Sequence, residues 1–82
     1  MKNKEFSKII SNRIKILRVL KGLTIEQLAY QSGISKGGLS EIERCLKEPM
    51  PLTILKICVG LDITIKEFFD FKEIENFADK LL

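Results

Sequence analysis

Eighty-two residues are enough for one small domain and too few for two independent cores. A hydrophobic fraction of 45% and a net charge of +3 describe a soluble, folded chain, not a disordered one. No strictly apolar run exceeds three residues, so no membrane span is expected. The opening MKNKEFSKII lacks the apolar stretch and cleavage site of an export signal, and a cytoplasmic location follows by default.

Histidine is absent, which removes the usual general base. No Ser/His, Cys/His or paired-carboxylate arrangement can be assembled, nor a phosphate-cradling glycine loop. Cys45 and Cys58, thirteen positions apart, fit neither a zinc pair nor a redox dithiol. Both are expected as free thiols in a reducing compartment, with Cys58 in the core. No catalysis, metal, cofactor or small-molecule ligand is expected. The charge is uneven: residues 1–47 carry ten Lys/Arg against four Glu, and residues 48–82 four Lys against seven acids. That division suggests one side facing a polyanion, with a merely solvated surface as the plainer alternative.

Along the chain, apolar spacings of three and four dominate and strand signals are weak. Phe6, Ile9, Ile10, Ile14, Leu17 and Leu20 predict one face of a first helix over about residues 3–21, and Gly22 stands where a left-handed cap is expected. Thr24-Ile-Glu-Gln27 is a capping box opening a second helix. Leu28 faces inward, Tyr30 is expected to be partly buried, and the helix stops at Ser32-Gly33. Ser35 is the N-cap of a third helix running to about Arg44. Pro49 and Pro51 bracket a short loop, since neither fits inside a helix. A fourth helix, over about residues 51–60, is predicted to send Leu52, Leu55, Ile57, Cys58 and Leu61 to the core. Thr64-Ile-Lys-Glu67 is a second capping box, opening a fifth helix with Ile65, Phe68 and Phe69 apolar. Phe71, Ile74, Phe77, Ala78 and Leu81 continue at helical spacing. The fold class is all-α: a five-helix bundle over residues 1–69, plus a C-terminal helical extension over 70–82.

The stretch from Thr24 to Glu43 has an internal logic. Two helices joined by a tight turn cross steeply, so the first needs a small residue where the second approaches, and Ala29 supplies it. The turn needs a residue tolerant of positive φ, and Gly33 supplies it. Leu28, Ile34, Leu39 and Ile42 then face the shared core, which makes a helix-turn-helix.

From Arg13 to about Phe69 the residues RIKILRVLKGLTIEQLA, SGISKGGLSEIER and KEPMPLTILKICVGLDITIKEFF resemble the Xre family of prokaryotic regulators, whose lambda-repressor-like fold is that of the phage Cro and cI repressors. The resemblance implies a DNA-binding transcriptional regulator whose third helix lies in the major groove. It implies a buried salt bridge between Arg18 and Glu43. It also brings the starts of the second and fourth helices toward phosphates, with Thr24 and Gln27 at the first of these. Lys36, Gly37, Gly38 and Glu41 match base-reading positions, with the N-cap Ser35, Ser40 and Arg44 alongside. Lys36 suits guanine O6/N7 and Glu41 suits cytosine N4, pairing of Glu41 with Arg44 being the plainer alternative. Lys47, just past the helix, is a candidate phosphate ligand, whereas Lys2, Lys4, Lys8 and Lys15 read as a solvated helix face. Ile25 stands where the family often has Gln. Cys45 replaces the usual Gly after the third helix, so that turn must hold a cysteine at positive φ or take another path. Gly37 and Gly38 either let the backbone come close to DNA or mark a third helix that starts late.

A domain this small makes a modest footprint, and a homodimer would reach half-sites about one helical turn apart. The apolar stripe Phe68, Phe71, Ile74, Phe77 and Leu81 is the expected dimer contact, the alternative being that it packs on its own bundle. The competing function is a protein–protein interaction module of the same fold (antitoxin, immunity or adaptor protein), with DNA binding secondary or lost.

Overall fold

Helix-forming periodicity, local caps and two prolines partition the chain into six helices in the computed structural model, which describes residues 4–82. They are α1 (Lys4–Leu20), α2 (Ile25–Ser32), α3 (Lys36–Glu43), α4 (Pro51–Leu61), α5 (Ile65–Phe68) and α6 (Lys72–Leu81). No strand occurs among the described residues. Lys2 of the expected solvated face lies outside them.

The punctuation follows the local chemistry. Gly22 and Gly33 sit at φ 71° and 70°. Thr24 and Thr64 each form a reciprocal capping box, with Gln27 and Glu67 respectively. The backbone N–H and hydroxyl of Thr64 hold the Glu67 carboxyl below its usual range. Pro51 is the first residue of α4, where a missing N–H costs nothing, and not part of the preceding loop.

Ile10, Ile14, Leu28, Ala29, Leu39, Ile42, Ile54, Ile57, Cys58, Leu61 and Phe68 make the core, with Ile34 partly buried against it. Burial in that core raises the Cys58 thiol pKa, and both cysteines are free. Three expectations need correction. Leu20 is exposed, because at the helical pitch it lies about 80° round α1 from Ile10. Leu52 and Leu55 are exposed and Ile54 is buried in their place. Residues 54, 57, 58 and 61 share one stripe of α4, and Leu52, Leu55 and Val59 form the opposite one. Tyr30 is exposed, on the side of α2 away from its buried Leu28, Ala29 and Ser32.

The C-terminal stripe is largely consumed within the chain. Phe68 is a core residue and Phe77 is buried. The Phe77 ring lies 5.7 Å from that of Phe6 on α1, and Lys80 pairs with Glu5 at 2.8 Å. Phe71 lies under the Arg13 guanidinium, 4.5 Å away, and Ile74 packs on the core. Leu81 alone of the five stripe residues is fully on the surface. α6 thus folds back on α1, which leaves Phe71 and Ile74 half-buried and Leu81 exposed.

α2 and α4 pack unusually close at their C-terminal ends. A Cβ at Gly60 would meet Ser32 Oγ, Ser32 N at 3.0 Å and Leu28 Cδ1 at 3.1 Å. Ser32 Oγ is buried there without a hydrogen-bond partner.

Candidate nucleic-acid interface

α3 is fixed from behind. Leu39 and Ile42 are buried, and Ser11 of α1 donates to the Ile42 carbonyl at 2.6 Å. Arg18 grips Glu43 with both Nε and Nη2, at 2.7 and 3.0 Å, and its Nη1 donates to the Leu23 carbonyl at 2.8 Å. The side chains of this pair are only 13% and 4% exposed. Sequence alone would place both on the surface, and the pairing expected from the family resemblance is present.

Past the helix, Cys45 takes φ 61°. Its N–H donates to the Ile42 carbonyl at 3.0 Å, and that of Leu46 to the Glu41 carbonyl at 2.8 Å. These two bonds are a Schellman closure with a cysteine in the position usually held by glycine. The turn keeps its path and the cysteine bears the unfavourable φ.

The other end of α3 faces outward. Ser35 Oγ accepts from the Gly38 amide at 3.0 Å, so the helix includes both glycines and does not begin late. Lys36, Gly37, Glu41 and Arg44 are exposed, and Gly38 and Ser40 are half-buried. The ion pairs found among the described residues are Arg18–Glu43 and Lys80–Glu5, so Glu41 and Arg44 are not held together.

Two further elements border this face. A groove between α3 and α4 brings Ser35, Gly38 and Ile42 together with Lys47, Met50 and Thr53. α4 starts there without a side-chain cap, so its first-turn amides keep their donor capacity. A second groove is lined by Lys4 and Lys8 of α1 and by Lys47, with Glu5 and Glu48 among them. Thr53 and this lysine cluster were not singled out from the sequence. Only the fold brings residues so far apart in the chain into one place, although the Pro51 that opens α4 was a local signal.

Thr24 and Gln27 lie exposed at the start of α2. Their mutual bonds use the Thr24 oxygen and the Gln27 Oε1 as acceptors. The hydroxyl proton of Thr24 and the amide protons of Gln27 stay available to a phosphate. All ten candidate residues are therefore at least partly accessible. Ser35, Gly38 and Lys47 are brought together in one groove, and Thr24 and Gln27 form a separate group at the start of α2.

The chain matches the HTH_3 helix-turn-helix family over residues 14–68. It is 38% identical over 63 residues to the HTH-type transcriptional regulator SlrR of Bacillus subtilis, covering 76% of this chain and 41% of SlrR. It is 32% identical over 74 residues to the HTH-type transcriptional regulator SinR of the same organism, covering 89% and 67%. The chain thus spans about two fifths of SlrR and two thirds of SinR. A tyrosine-to-phenylalanine mutant of the restriction-modification controller protein C.Esp1396I superposes with a TM-score of 0.81 at 32% identity, covering 95% of this chain and 96% of that one. Fold, local motifs and relatives agree, and the chain belongs to the HTH_3 helix-turn-helix family.

Proposed function

We propose that this domain is a sequence-specific DNA-binding transcriptional regulator that lays α3 in the major groove as part of a homodimer. The observation that carries the reading is the two-sidedness of α3. Its inner face is buried and ion-paired, while Lys36, Glu41 and Arg44 are exposed. A rigid helix with an unpartnered polar face suits direct base readout. Thr24, Gln27, Lys47 and the start of α4 serve as phosphate grips, which set register and carry no sequence information.

With the C-terminal stripe used inside the chain, the exposed apolar side of α4 is the contact we assign to a second copy. Leu52, Leu55 and Val59 line it. Burying this patch in an isologous pair would fix the spacing of two α3 helices through α4, the helix that borders the α3 groove. The same apolar side is what favours the interaction-module reading.

One measurement separates these functions. The logarithm of the affinity for duplexes selected from a random pool should fall linearly with log[salt], with affinity well above that for random duplex, and sedimentation of the same sample should show a dimer. Lys36→Ala should relax specificity, and Lys47→Ala should weaken binding to all duplexes alike. Absence of binding to any duplex at low salt would overturn the regulator in favour of the interaction module.

A further inference from the structure

The lysines of α1 are gathered on one side of it. Lys4, Lys8 and Lys15 fall within about 40° of one another round the helix, on a line about 16 Å long. All three are exposed, as is Asn12 between them. Ser11 lies on the same side, and its bond to the Ile42 carbonyl sets that line against the end of α3. Lys4 and Lys8 accordingly share a groove with Lys47, and Lys8, Asn12 and Lys15 share another with Cys45. Four acids border the two grooves, and only Glu73 among them lacks an engagement. Glu5 pairs with Lys80 at 2.8 Å, Glu48 accepts from Ser7 at 3.3 Å, and Glu43 is held by Arg18. Lys4, Lys8, Lys15 and Lys47 take part in no ion pair among the described residues. Like charges one turn apart, such as Lys4 and Lys8, cost a helix stability. An external polyanion would turn that repulsion into attraction.

We propose that Lys4, Lys8 and Lys15 form a second phosphate-binding strip for double-stranded DNA, joined to the α3 interface at Lys47. Through it α1 holds backbone phosphates that α3 does not reach, and the duplex is gripped on both sides of the turn that closes α3. Such contacts act through charge and carry no sequence information. They raise affinity for every duplex and leave the ranking of sites to α3. The inference rests on the DNA-binding reading above, and it extends the footprint to a face of α1 that the sequence pattern assigns to solvent.

The test compares the full chain with two double variants of equal charge change, Lys8→Gln with Lys15→Gln and, on α5 and α6, Lys66→Gln with Lys72→Gln. Each is titrated over a range of salt with a duplex selected by the wild type and with random duplex. The α1 pair is expected to reduce the slope of log affinity against log[salt] by about 2. It should weaken both duplexes by the same factor, at unchanged Tm, while the control pair leaves the slope as it was. Phosphate ethylation of the selected duplex should interfere with wild-type binding at positions where the α1 pair is indifferent. An unchanged slope for the α1 pair would overturn the proposal and leave the regulator reading standing. Equal loss in both double variants would also overturn it, because net charge and not its placement would then be responsible. A wild type that binds no duplex would overturn both.

Discussion

The two ends of α3 are built in opposite ways. The C-terminal end is held by a bidentate Arg18–Glu43 pair, the Ser11 bond to the Ile42 carbonyl and a Schellman closure at Cys45. The N-terminal end is held by one side-chain cap, from Ser35 to the Gly38 amide, and two glycines. Constraint is concentrated behind the helix and kept sparse in front. An aimed element needs its orientation fixed away from the surface it presents, so that nothing on that surface competes with a ligand.

The largest effect should come from breaking the anchored end. Glu43→Ala leaves the Arg18 charge buried with a single carbonyl partner, and is expected to cost about 3 kcal/mol. Urea unfolding checks this as a lower midpoint at unchanged m. Replacing both residues with apolar ones of similar size should cost less than the single change, and equal costs would show that the pair does not act as a unit.

A smaller effect is expected at the free end. Ser35→Ala removes the only side-chain cap of α3 and should cost about 1 kcal/mol. Because a Cβ at Gly38 would press on the same Ser35 Oγ, Gly38→Ala should be more damaging with Ser35 present than in the Ser35→Ala background. Strict additivity in the four-protein cycle would argue against that contact.

The smallest change has the opposite sign. Cys45→Gly relieves a non-glycine positive φ, a strain of about 1 kcal/mol, partly offset by the freer unfolded glycine. A net gain near ~0.5 kcal/mol, or about 2–4 °C in Tm, is expected. A fall in Tm would show that the cysteine side chain contributes contacts worth more than the strain.

These differences also explain which features could be read from the sequence. Capping boxes at Thr24 and Thr64, the left-handed Gly33 and the inward Leu28, Leu39 and Ile42 depend on neighbours within a few positions, so the one-dimensional pattern contains them. α4 is apolar on both sides, and periodicity could not choose between the Ile54–Cys58–Leu61 stripe and the Leu52–Leu55–Val59 stripe. The packing of α2 against α4 makes that choice. Leu20 lies at the edge of its helical stripe, where a residue is buried only if a neighbouring element reaches it, and Tyr30 lies on the far side of α2, where none does. The candidate interface divides similarly. The α3 candidates come from the family resemblance, whereas the gathering of Lys4, Lys8 and Lys47 and the place of Thr53 arise from tertiary contacts between distant parts of the chain.

The contact of Gly60 with Ser32 has a mechanical meaning. It sits near the C-terminal ends of α2 and α4, the most extensively packed pair of helices among the described residues, and there the two are spaced by one missing methyl group. A Cβ at position 60 has no room to enter, so any larger residue there must separate the two helices. One atom's absence thereby sets how closely the two helices lie.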